Sequence, residues 1–199
     1  QTIQVESAQT WAVGDEVAIA STSFNPAESE SAKIQSISGT TITLNRGLSY
    51  MHWGSSPENF SHSSGRTFTL DQRAEVVNLT RNIKIEAYDK LSDGTDANQL
   101  NPDQETSEPG GHVMVHQSGS AQVSSVEFYK MGQAGIMARY PFHWHRIGNT
   151  SGQYIMNSSI HNSFQRCITV HATNNTTVEN NVCYNFRGHG YFLEDGVET

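Results

Sequence analysis

The sequence predicts an all-β chain whose C-terminal half is a right-handed parallel β-helix, a solenoid of short stacked strands, with an N-terminal β-hairpin and strand region as its cap. Three observations predict it. Residues 154-YIMNSSIHNSFQRCITVHATN-174 set above 176-TTVENNVCYNFRGHGYFLEDG-196 repeat with a spacing of 22, close to what one coil of such a helix requires. Hydrophobic residues make up 35% and charged residues only 16%, and Gly, Ser, Thr and Asn are plentiful, as in turn-rich β proteins. Apolar residues alternate in short runs between Gly and Asn, with no helical spacing.

The first 87 residues read as short strands that pack on or start the solenoid. The stretch 11-WAVGDEVAIAS-21 places a Gly-Asp turn before alternating apolar residues, and 33-KIQSISGTTITLNRGL-48 is two alternating runs about Gly39, the pattern of a hairpin. Two more short strands follow in 74-AEVVNLTRNIKIEA-87. Residues 88–111 are acidic, carry two prolines and have almost no apolar content, so they are expected to form an exposed insertion. Its acids lack the EF-hand spacing, which makes calcium the lesser expectation.

Residues 112–199 are expected to form the rungs. In the 22-residue register Ile160 lies over Val182, Asn162 over Tyr184, Phe164 over Phe186 and Val170 over Phe192, with Asn180 and Asn181 one rung after Ser158 and Ser159. An earlier copy, 123-VSSVEFYKMG-132, matches 157-NSSIHNSF-164 if residues 140–153 carry an insertion. Cys167 and Cys183 lack metal-site spacing and read as two buried thiols, with a disulfide as the alternative.

Aligning 141-PFHWH-145 with 167-CITVH-171 puts Phe142 and Trp144 over Ile168 and Val170, pointing into the core. His143 then lies over Thr169 and His145 over His171, both outward. Neighbouring strands are about 4.8 Å apart, so such imidazoles can share one divalent, zinc-like ion. The candidate metal set is His143, His145 and His171. His161 is expected to face outward on another strand, and His189 to stand one rung above Cys167. In 193-LEDG-196, Glu194 and Asp195 sit near a strand end, where carboxylates serve as acid, base or ligand. Trp144 and Tyr191 are read as core.

The formal charge of −8 is uneven: residues 1–129 hold 7 Lys+Arg against 16 Asp+Glu, whereas residues 130–199 hold 5 against 4. The histidine-bearing part therefore suits an anionic ligand, which Arg139, Arg146, Arg166 and Arg187 would contact. No basic stripe points to nucleic acid, and no apolar run approaches a membrane span. Sequons at Asn59, Asn78, Asn149, Asn157, Asn174 and Asn175 permit glycosylation in a secretory pathway. The chain reads as a processed piece, ending at 196-GVET-199 in mid-rung, an open edge that would accept another copy end to end.

Together, YPFHWHRIG, NSSIHNSFQRCITVHATN and YNFRGHGYFLEDG, with WAVGDEVAIASTSFNPAESE and RAEVVNLTRNIKIEA before them, resemble the β-helix region of the cell-migration-inducing hyaluronidase family, which includes fibrocystin-like proteins. In that family the region follows a glycine-rich domain. The resemblance implies a secreted or cell-surface protein that binds or depolymerises an acidic, hyaluronan-like polysaccharide. The positions it carries over are His143, His145, His161, His171, His189, Glu194 and Asp195.

Two readings of the function follow. In the first, the chain is a glycan-cleaving enzyme in which Glu194, Asp195 and His189 do the acid–base work, Arg139, Arg146, Arg166 and His161 bind substrate, and the three histidines hold a metal. In the second, the same face belongs to a non-catalytic glycan-binding, adhesive or structural module.

Overall fold

A computed structural model of the chain describes residues 1–87 and 110–199. The acidic insertion expected at 88–111 lies outside the described residues, apart from Gly110 and Gly111. The chain divides into two compact units, Gln1–Thr80 and Arg81–Thr199.

The first unit contains strands β1 (Thr2–Gln4), β2 (Glu16–Ile19), β3 (Glu30–Ser38), β4 (Thr41–Leu44), β5 (Glu58–Ser61), β6 (Thr67–Leu70) and β7 (Val76–Asn78). The expected hairpin about Gly39 is β3 and β4, and it joins a five-stranded antiparallel sheet of order β1-β4-β3-β2-β7. The alternation of its strands buries Val17, Ile19, Ala32, Ile34, Ile42 and Leu44 on one side.

Glu30 begins β3 and is buried. Burial alone would raise its pKa, but the Ser49 and Tyr50 amides donate to it at 2.9 Å, and His52 and Arg46 approach at 3.2 Å. These donors hold the carboxyl down at about 2, well below its ordinary 4.5. A depressed carboxyl stabilises the fold above its unfolded pKa, and the contribution is lost as pH falls. We predict that acidification from pH 5 to pH 2 weakens hydrogen-exchange protection of β3 by on the order of 3 kcal/mol. In Glu30→Gln, protection should be lower at neutral pH and nearly flat over that window; an unchanged acid response would contradict the assignment.

The second unit contains β8 (Ile83–Glu86), β9 (Val113–His116), β10 (Gln122–Ser124), β11 (Val126–Tyr129), β12 (Phe142–Asn149), β13 (Tyr154–Met156), β14 (Ser159–Ser163), β15 (Ile168–Asn174), β16 (Thr177–Glu179), β17 (Val182–Phe186) and β18 (Tyr191–Leu193). They form three parallel sheets, β10-β13-β16, β8-β11-β14-β17 and β9-β12-β15-β18. Each successive trio of strands, from β10 onward, adds one strand to every sheet, a unit called a tier below.

The last two tiers are offset by 23 residues, not 22: Ser159 pairs with Val182, Ile160 with Cys183, His161 with Tyr184, Ser163 with Phe186 and Val170 with Leu193. A one-residue slip exchanges the faces of a strand. It places Asn180 over Asn157 and Asn181 over Ser158, and Gly190, not His189, over Cys167. The preceding offset is 32 residues between β11 and β14 but 26 between β12 and β15. Most of the inserted chain therefore lies in residues 130–141, before β12.

The tiers turn at corners whose residues have positive φ. One corner holds Ser125, Asn157 and Asn180, a second Lys130, Asn162 and Asn185, a third Gln117, Arg146 and Ala172, all with φ between 46° and 58°. Asparagine tolerates this left-handed conformation better than most residues. Its side chains also bond from tier to tier: the Nδ2 of Asn180 donates to Asn157 Oδ1 at 2.6 Å and that of Asn185 to Asn162 Oδ1 at 2.9 Å.

The core of this unit stacks Val126, Phe128, Phe142, Trp144, Ile155, Ile160, Ile168 and Val170. Trp144 is fully buried, and its indole N–H donates to Gln153 Oε1 at 3.0 Å. Tyr191, expected in the core, is 54% exposed because it lies on the last tier described, over Ile168, with its hydroxyl donating to the Asn181 carbonyl. The two cysteines are joined as a Cys167–Cys183 disulfide, so the expectation of free thiols is overturned. Both sulfurs belong to the same narrow core, and that closeness is invisible when the register is off by one.

We predict that Asn162→Ala destabilises the unit by about 1–2 kcal/mol, from left-handed strain and the lost hydrogen bond. Asn162→Gly should cost less, because the backbone part disappears. Denaturant unfolding of the two variants checks this, and an alanine variant as stable as wild type would refute the corner assignment.

Candidate metal centre

The sheet β9-β12-β15-β18 carries the histidines. Its inward columns are Val113, Phe142, Ile168, Tyr191 and Val115, Trp144, Val170, Leu193. The alternate residues point away from the core in two columns: Met114, His143, Thr169, Phe192, and His116, His145, His171. Glu194 occupies the next position of the second column, its amide donating to the Val170 carbonyl at 2.9 Å. The bends at Gln117, Arg146 and Ala172 follow these histidines immediately, so each imidazole stands at a corner of its tier.

His143 and His145 therefore take the expected register with Thr169 and His171, but His143 is fully buried instead of solvent-facing. Residues 138–140 fold over it: the Tyr140 ring lies 4.9 Å away, and the Ala138 carbonyl is 3.2 Å from Nδ1. A carbonyl only accepts, so Nδ1 bears the proton and Nε2 the bare lone pair. Burial pushes the His143 pKa down to about 4; the Ala138 bond opposes this, while nearby His145, His171 and Arg166 add to it. Burial and the neighbouring His171, His116 and Arg146 also lower that of His145, against an opposing effect of Glu194.

That lone pair has no hydrogen-bond partner although it is buried, and Glu194 Oε2 is in the same condition. The two atoms face each other across 4.0 Å. Leaving a buried polar group unpaired costs about 1–3 kcal/mol. Glu194 Oε2 is also 3.9 Å from His171 Nδ1, which lies 3.0 Å from His145 Nδ1. The ligating nitrogens of His143, His145 and His171 all fall within 4.8 Å of one another. Ligands bonded tetrahedrally at about 2.0–2.1 Å would be roughly 3.4 Å apart. The separations here, from 3.0 Å to 4.8 Å, lie on either side of that value, so the donor set of three imidazoles and a carboxylate fits a divalent cation.

Asp195 stands behind the set, with Oδ1 at 3.6 Å from His171 Nε2, where an outer carboxylate orients a ligating imidazole. His116 was not foreseen from the sequence. It stacks on His145 with ring centroids 5.4 Å apart and planes 14° apart. Its signal was present in 113-VMVH-116, 142-FHWH-145 and 168-ITVH-171, in which an apolar residue precedes histidine three times.

The other expected site residues are dispersed. His161 lies on β14 in a different sheet, buried, with Nε2 at 3.1 Å from Glu127 Oε1, so it is not the exposed sugar contact expected. Arg139 pairs with His112, and Arg146 is exposed at its bend. His189 rests against the Phe192 ring at 4.7 Å. Arg166 reaches this centre, with Nη1 at 3.9 Å from Glu194 Oε1.

Residues 108–199 match the CEMIP beta-helix family. The match spans both outward columns, from Met114 to Glu194. Across 99% of its length the chain is 34% identical to a G8 domain-containing protein of Dictyostelium discoideum and 33% identical to fibrocystin-L of Mus musculus. It covers 12% and 5% of those two proteins, respectively. A second Dictyostelium G8 domain-containing protein is 35% identical over 98% of the chain, which spans 15% of it. The chain is thus similar to CEMIP β-helix proteins over residues 108–199 and to G8 domain-containing proteins and fibrocystin-L over nearly its whole length. Residues 1–80 lie outside the CEMIP β-helix match but inside these longer alignments. Among the described residues no helix is long and apolar enough to cross a membrane, which says nothing of a β-barrel.

Proposed function

We propose that this chain is part of a secreted or cell-surface protein, that its three parallel sheets are the faces of one right-handed β-helix, and that its histidine corner binds a divalent, zinc-like metal and engages an acidic, hyaluronan-like polysaccharide. The observation that carries the metal reading is the pair of buried, unpartnered atoms, His143 Nε2 and Glu194 Oε2, facing each other beside His145 and His171. The likeness to CEMIP β-helix proteins and the nearly balanced charge of residues 130–199, against the acidic remainder, support the polysaccharide reading.

In this reading His143, His145, His171 and Glu194 hold the ion, and Asp195 orients His171. The ion, when bound, supplies Lewis acidity toward sugar oxygens. Tyr140 and Ala138 exclude water from His143 and fix its tautomer. Glu194 and Asp195 both approach His171, so neither is free to act as one of two carboxylates flanking a glycosidic bond. Binding of the glycan at a metal-dependent site is therefore the primary reading, and cleavage is the further outcome to be scored.

The purified chain should take up one zinc ion per molecule, and saturation should raise the unfolding temperature, since a ligand bound only to the folded state stabilises it. His143→Ala and His171→Ala should each weaken zinc binding by about 10-fold or more. Size analysis of hyaluronan, chondroitin and a neutral glycan after incubation then separates binding from cleavage. Absence of zinc uptake, or uptake by both variants as tight as that of wild type, would refute the metal site; failure to retain any acidic glycan would refute the polysaccharide reading.

A further inference from the structure

Arg166 is held more rigidly than its exposure suggests. It sits in the turn between β14 and β15, immediately before the disulfide-bonded Cys167. Its guanidinium carbon lies 3.9 Å over the Phe192 ring and 5.1 Å from the Tyr140 ring, a stack on two aromatic faces. Nη1 donates to the Tyr140 hydroxyl at 3.1 Å and stands 3.9 Å from Glu194 Oε1. Its stem runs against Gly188, where a Cβ would come 3.3 Å from Arg166 Cγ. The side chain keeps 25% of its surface exposed.

Among the described residues, Nε and Nη2 donate to nothing. Those two N–H groups form one edge of the guanidinium, two parallel donors in a plane, and that edge matches a carboxylate held by two bonds. An arginine normally loses side-chain freedom when it grips an anion. Here much of that freedom is already removed by the two rings, Gly188 and the disulfide, so the edge is preorganised. The same Tyr140 covers His143, which places the Arg166 guanidinium, through Nη1, at the rim of the histidine centre, with the Nε/Nη2 edge on its far side.

We propose that Arg166 is the specificity-determining residue of the site: its Nε/Nη2 edge takes the carboxylate of a uronate in a glycan chain that passes the histidine centre. The proposal rests on the metal and glycan reading above and deepens it by assigning the acidic group and its receptor. Arg139 and Arg146 are not part of this receptor.

The test is titration calorimetry of the zinc-loaded full chain with a hyaluronan hexasaccharide, its carboxyl-reduced counterpart and a sulfated chondroitin hexasaccharide. Arg166→Gln should raise the Kd for the hyaluronan hexasaccharide about 10- to 100-fold and leave that for the carboxyl-reduced sugar unchanged. Zinc content and circular dichroism should match wild type, and Arg166→Lys, which keeps the charge without the fork, should recover only part of the loss. Equal affinity of wild type and Arg166→Gln for the hyaluronan hexasaccharide overturns the proposal. So does an equal loss toward both hyaluronan sugars, or a wild-type affinity that is the same for the hyaluronan hexasaccharide and its carboxyl-reduced counterpart. If wild type takes up no zinc, the metal reading fails by itself, and the contrast between the two hyaluronan sugars still decides the role of Arg166 in the zinc-free chain.

Discussion

The vertical register of the tiers is the constraint on which the rest of the second unit depends. Parallel pairing alone would let a strand slide by a residue, exchanging its inward and outward faces. The corners prevent this. Each turns through a residue of positive φ at the same place in successive tiers, and at two of the corners an asparagine of the last tier bonds to its counterpart in the tier before. Because corners recur in register, Trp144 stays over Val170 in the core while His145 stays over His171 outside it.

That register has a chemical result. Stacked strands bring like side chains to about 4.8 Å, a distance at which imidazoles would repel if all were charged. Burial and mutual proximity lower the pKa values of His143 and His145, so these two rings favour the neutral form with a lone pair available. Residues 138–140 then remove water from His143, and the carboxylate of the following tier closes the fourth side. Two of the gathered atoms, His143 Nε2 and Glu194 Oε2, are left without a hydrogen-bond partner, an arrangement that costs stability unless a cation joins them.

Much of this was legible in the residues. The register of Phe142 and Trp144 over Ile168 and Val170, and so of His145 over His171, could be read because bulky apolar residues alternate with histidine in both segments. The later offset was read one residue short, since matching Phe164 to Phe186 aligned two aromatics where the corner geometry aligns Ser163 with Phe186. That slip hid three things at once: the position of Glu194 in the histidine column, the displacement of His189 from Cys167, and the meeting of Cys167 with Cys183 inside one core. His116 escaped because its tier precedes the recognisable repeat. The burial of His143 was not legible at all, because it depends on how residues 130–141 fold back, and that segment has no repeat to copy.

The central claim is that His143, His145, His171 and Glu194 converge on one cation. X-ray absorption spectroscopy at the zinc edge of the zinc-loaded chain tests it most directly. The expected spectrum has a first shell of about four N/O ligands at roughly 2.0–2.1 Å with the outer-shell scattering of three imidazoles, falling to two in His143→Gln. A first shell of six oxygens with no imidazole scattering, or a spectrum unchanged in His143→Gln, would contradict it.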